Sequence, residues 1–91
     1  NRYFEEEVMT RENAIKIVEK KLNAAGLGEA IKISNSRTGT HGEAQCIYID
    51  PIPVKGNSKL IKKLKDMPDF YGYKSLTLYN YFEFWGRFDV V

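Results

Sequence analysis

His41 and Cys46 are the only imidazole and the only thiol in this chain of 91 residues. A thiolate beside an imidazole base is a nucleophilic pair, and either group can ligate a transition metal. Here His41 sits in the glycine-flanked string Gly39-Thr40-His41-Gly42, while Cys46 belongs to an alternating segment in which we expect it to point inward. The two therefore read as a solvated loop imidazole and a structural thiol. A Ser/His/Asp site would also have to use His41, and the carboxylates are scattered except for the run Glu5-Glu6-Glu7, which reads as solvated charge. We expect no catalytic residue, no metal ligand set and no cofactor, and hence no small-molecule substrate. The string 39–42 superficially suits a phosphate, but it lies between two predicted strands and no helix start follows it, as phosphate cradling requires.

Two constellations suit binding. Lys55, Lys59, Lys62, Lys63 and Lys65 follow one another with no acid before Asp66. As point charges they could meet phosphates, with Arg37 of the long polar loop as a further contact, although a solvated helix face explains such a cluster more often. The second constellation is aromatic, since nine of the twelve aromatic side chains lie between Phe70 and Phe88. At the two-residue period of a strand, Leu76, Leu78, Phe82, Phe84, Phe88 and Val90 form one face, and Thr77, Tyr79, Tyr81, Glu83, Trp85, Arg87 and Asp89 the other. Tyr79, Tyr81, Trp85 and Arg87 are the types enriched as protein-interface anchors. Such residues also stack single-stranded nucleic acid, but Glu83 and Asp89 on the same parity repel phosphate. A third reading has the aromatics packing on the core edge or on Tyr3 and Phe4.

These residues must be held by few elements. Thr10 is a helix cap, Ala14, Ile15, Val18, Leu22 and Ala25 form one apolar stripe, and Gly26 is a stop. Residues 30–34 and 44–50 alternate with period two around a nine-residue polar stretch, which reads as a hairpin with a long loop, and Pro51 and Pro53 end its second strand. Gly56-Asn57-Ser58 caps a second helix with Leu60, Ile61, Leu64 and Met67 inward, and Pro68 ends it. The aromatic run is one long strand or a hairpin turning near Asn80 or Gly86. Asn80 falls on the apolar parity, so a bulge or turn is expected there.

The order α-β-β-α-β(-β) implies an α+β fold with two helices on one face of a three- or four-stranded, mainly antiparallel sheet. The length suits a single domain, residues 1–91, and 43% hydrophobic with 29% charged residues is globular composition. Net charge is +2, so any attraction to nucleic acid must be local. A lone cysteine permits no internal disulfide and suggests the cytoplasm, and no apolar stretch approaches a membrane span, so no membrane contact is expected. Residues 1–8 are either a lead-in segment of a longer chain or a vector-derived remnant ahead of Met9.

The strings Thr10-Arg11-Glu12-Asn13-Ala14, Ile31-Lys32-Ile33-Ser34, Ile47-Tyr48-Ile49-Asp50-Pro51 and Asp69-Phe70-Tyr71-Gly72, with a lysine-rich helix between, resemble the small accessory domains of the large polyvalent protein families of phages and conjugative elements. The resemblance covers most of residues 9 to 88, and the aromatic density after Tyr79 departs from it. It implies a non-catalytic module that accompanies proteins protecting or processing mobile DNA. The sequence thus points first to a protein-binding module, contacting a partner or a second copy through the aromatic face. A nucleic-acid-binding domain using Lys55, Lys59, Lys62, Lys63 and the aromatics is the alternative, and a small inhibitor of a host defence nuclease is a third.

Overall fold

The structure is a computed structural model and describes residues 10–34 and 46–90. Arg37, His41, Tyr3 and Phe4, which the sequence singles out, lie outside the described residues.

Helix α1, Arg11–Ala24, starts where the sequence says it should. The Thr10 Oγ1 accepts the Asn13 N–H at 3.1 Å, satisfying one of the orphan donors of the first turn. Gly26 at φ +76° reverses the chain, and the Leu27 N–H reaches back to the Leu22 carbonyl at 2.8 Å. Helix α2, Ser58–Lys65, is shorter. Its cap Asn57 turns its side chain away from the helix, and Nδ2 donates to the Pro53 carbonyl at 2.8 Å.

Four strands form one antiparallel sheet: β1, Cys46–Tyr48; β2, Ile52–Pro53; β3, Phe70–Leu76; and β4, Phe82–Asp89. Strand β4 is the centre. On one side it pairs with β3 over the full length of that strand, from Phe70↔Phe88 to Leu76↔Phe82. On the other it pairs with β1 (Tyr48↔Arg87) and then with β2 (Ile52↔Phe84). The register slips by one residue between those two pairs, which is a bulge. The slip has a purpose in packing, because it moves the inward parity from Ile47 and Ile49 to Ile52. As the sequence reading has it, the strand ends in the segment with the two prolines: β1 stops before Pro51, and after the bulge the chain pairs with β4 again only over Ile52–Pro53. Residues 31–34 flank β1 on its outer side, reduced to the bridge Ile33↔Ile49 with the Ser34 N–H on the Tyr48 carbonyl at 2.8 Å.

Residues 70–89 are a hairpin. The turn is at Asn80, which adopts φ +62°, and Gly86 lies mid-strand rather than in a turn. A short polar side chain tolerates the left-handed region, which is why asparagine can interrupt the apolar parity at this point. Thr77 closes the loop, its N–H donating to the Tyr81 carbonyl at 2.8 Å and its Oγ1 accepting the Tyr79 N–H at 3.1 Å.

The two helices cover one face of the sheet. Ala14, Val18 and Leu22 of α1 and Ile61 and Leu64 of α2 join Ile47, Ile49, Ile52, Phe70, Phe84 and Phe88 in a single core cluster. The architecture is α+β with element order α-β-β-α-β-β. Two expectations fail at its margins. Leu76 and Phe82 share the apolar parity yet are 58% and 46% exposed, and Leu78 is 96% exposed in the turn. The hairpin projects beyond an α2 of only eight residues, so nothing among the described residues covers its far end.

Candidate interaction surface

The face of the sheet away from the helices is built by the odd positions of β4. Arg87 stands at its middle, opposite Tyr71 on β3 and Tyr48 on β1, and Trp85 next to it is opposite Tyr73. Directly opposed residues in an antiparallel pair bring their Cβ atoms to about 5 Å, so register alone assembles Tyr48, Tyr71, Tyr73 and Trp85 around one guanidinium. Tyr71 and Tyr73 are half exposed, at 50% and 52%.

Arg87 is held from two directions. Its guanidinium lies over the Tyr71 ring, 5.0 Å from the centroid, and its Nε donates to the Asp89 Oδ1 at 3.1 Å. The hydrogen bond to Asp89 secures the guanidinium in its protonated state. The same Oδ1 accepts from the Cys46 thiol at 3.4 Å. Cys46 thus points to this face and not inward, correcting the expectation from its parity: Ile47 and Ile49 take the core positions, and a period of two then sends Cys46 and Tyr48 outward. Partial burial first, and then the hydrogen bond to Asp89 and its charge, push the thiol above its ordinary pKa, so at neutral pH it is a protonated donor and a poor nucleophile.

Of the four aromatic-face residues read from the sequence, the sheet brings two together, Trp85 and Arg87. Tyr79 is in the turn and 82% exposed, while Tyr81 precedes β4 and donates to the Glu83 Oε2 at 3.4 Å, whose charge raises the tyrosine's pKa. Tyr48 was missed by sequence reasoning, although the alternation Cys46-Ile47-Tyr48-Ile49 carries the signal. The lysines are elsewhere. Lys59, Lys62, Lys63 and Lys65 are exposed on α2, on the helix side of the sheet, and Lys55 is exposed in the turn before it. The sheet itself separates them from Trp85 and Arg87.

Comparison with known proteins gives no match to a family model, to a curated protein or to a solved structure. The reading of the surface therefore rests on its geometry. Among the described residues no group of three or more His, Cys, Asp or Glu could hold a metal ion, and no helix is long and apolar enough to cross a membrane.

Proposed function

We propose that this domain is a non-enzymatic protein-binding module whose contact surface is the aromatic face of the sheet. One observation carries the reading: Arg87 is fixed over Tyr71 by Asp89, amid Tyr48, Tyr73 and Trp85, on the sheet face that neither helix covers. Tyr, Trp and Arg are the side chains that dominate interface energetics, and anchors already held in place lose less conformational entropy on binding. The occupant is a protein surface, either of a second copy or of a foreign partner. A setting in a phage or conjugative element belongs to the proposal on the strength of the sequence resemblance alone.

Charge favours protein over nucleic acid on this face. Within β4 it presents one cation, Arg87, against Glu83 and Asp89, and Arg87 is already neutralised at 3.1 Å. Phosphate would find little net attraction there. The nucleic-acid reading keeps the lysines of α2 as its support, but it would have to use them without the aromatic platform.

The test is a mass measurement by light scattering over a concentration series, paired with photo-crosslinking from position 75, on the same face opposite Glu83. A dimer, or one defined crosslinked protein, that disappears in the Tyr71→Ser/Tyr73→Ser variant supports the proposal. An association that survives this double substitution, or no association at all, sinks it. Both tyrosines are half exposed, so the variant should stay folded.

A further inference from the structure

On the opposite side of the sheet, the projecting end of the hairpin and helix α2 enclose a groove of about 300 Å³. One wall is a single stripe of α2: Ser58, Ile61, Lys62 and Lys65, spaced as i, i+3, i+4 and i+7. Val54 and Phe84 form the floor, and Tyr73 and Lys74 stand at the β3 edge. Beyond the floor the apolar shelf continues through Phe82 and Leu76, both about half exposed. The groove runs along α2 and across the strands, since Val54 and Lys74 lie on opposite sides of β4. This is the position that the next helix of the layer would occupy.

Charge specifies the occupant. Three lysines line the groove and no carboxylate does. Lys74 Nζ already lies 5.0 Å from the Phe82 ring centroid, poised between the apolar shelf and any incoming acid. Lys62 also meets Asp66 at 3.7 Å, but both side chains are more than two-thirds exposed, and such a pair is too weak to remove the lysine from competition. The dimensions are those of a helix: eight residues of α2 extend about 12 Å, and helices pack side by side at about 8–10 Å.

We infer that this groove docks an acidic amphipathic helix from a partner, laid alongside α2. Its apolar stripe rests on Val54, Phe84, Phe82 and Leu76, and its carboxylates meet Lys62, Lys65 and Lys74. This is the helix-in-groove mode of recognition, with charge setting the orientation and the choice of partner. The groove lies across the sheet from the Arg87 cluster and meets the aromatic face only at Tyr73, on the β3 edge.

The experiment uses the full chain and a dye-labelled synthetic 14-residue peptide with leucines at i, i+3, i+4 and i+7 and glutamates on both flanks. Binding is followed by fluorescence anisotropy and mapped by amide chemical shifts. Two control peptides accompany it, one of scrambled order and one with lysine for every glutamate. The expected result is binding that weakens with salt, shifts centred on Val54, Ile61, Lys74 and Phe84, and a loss of about tenfold or more in Lys62→Glu/Lys65→Glu/Lys74→Glu and in Phe82→Ser. The scrambled peptide should bind at least about tenfold more weakly, because it presents no stripe. Equal binding of the scrambled peptide would reduce the site to loose charge attraction and overturn the inference. So would equal binding of the lysine peptide, shifts centred on Tyr48, Tyr71 and Arg87, or no binding at low salt. The Tyr71→Ser and Arg87→Lys variants, which leave the groove lining in place, should bind the peptide as the parent does, which keeps failure here separate from failure of the proposed aromatic interface.

Discussion

Gly72 and Gly86 face each other across β3 and β4, and the space two side chains would fill is taken by rings. A Cβ on Gly86 would stand 2.2 Å from Phe70 Cζ, and one on Gly72 would stand 2.3 Å from Phe84 Cζ. Phe70 in turn packs on Phe88 with centroids 4.8 Å apart. The pair of glycines is thus a packing device on the core face, giving two aromatic rings a place to lie flat on the sheet.

The first prediction follows from that contact. Gly86→Ala should lower stability by about 1–3 kcal/mol in urea denaturation, because buried rings must move to admit the methyl group. Phe88→Ala, which removes a fully buried ring, should cost about 3–5 kcal/mol. An unchanged midpoint for Gly86→Ala would show that Phe70 does not lie where the structure places it.

Thr10→Ala should cost about 1 kcal/mol, because the Asn13 N–H loses its acceptor at the start of α1. Thr10→Asn should restore most of the loss. Thermal denaturation followed by circular dichroism at 222 nm measures both.

Cys46 should alkylate more slowly in the folded protein than in urea at the same mildly alkaline pH, its pKa being raised by burial and by Asp89. The sign for stability follows. A folded pKa above the unfolded one favours the folded state while the thiol is protonated, so the contribution is complete below the ordinary thiol range and fades as pH rises through the folded value. Asp89→Asn should bring the reactive pH downward, and an unmoved alkylation profile would show that Asp89 does not act on the thiol.

Arg87→Lys should change stability by less than about 1 kcal/mol, since the ion pair with Asp89 is more than one-third exposed on each side. Its effect on association should be larger. A lysine cannot present a planar group to Tyr71 while holding Asp89, so light scattering or crosslink yield should report weakened partner contact.

Leu78→Ser/Tyr79→Ser should leave the unfolding midpoint within about 0.5 kcal/mol of the parent, because the two side chains are 96% and 82% exposed at the turn. A substantial loss in chemical denaturation would mean that the turn packs on something in solution.

What the sequence determined is local. The Thr10 cap, the Gly26 stop and the apolar stripes of both helices are written in neighbouring residues, since helix ends and faces depend on contacts only a few positions apart. The alternation of Phe84 and Phe88 with Trp85 and Arg87 likewise follows from a period of two. Which strand sits beside which is not local. Placing β4 at the centre brings Tyr48 and Tyr71, 23 positions apart in the chain, to the same arginine, and no periodicity can express that. The central position also makes Gly86 a site of ring packing where its residue type suggests a turn. Alternation can say that Leu76 and Phe82 share a face with Phe84, but not that the face is left bare there. That was decided by the length of α2, which ends before the hairpin does, and so the helix side of the sheet keeps an apolar shelf ringed by lysines.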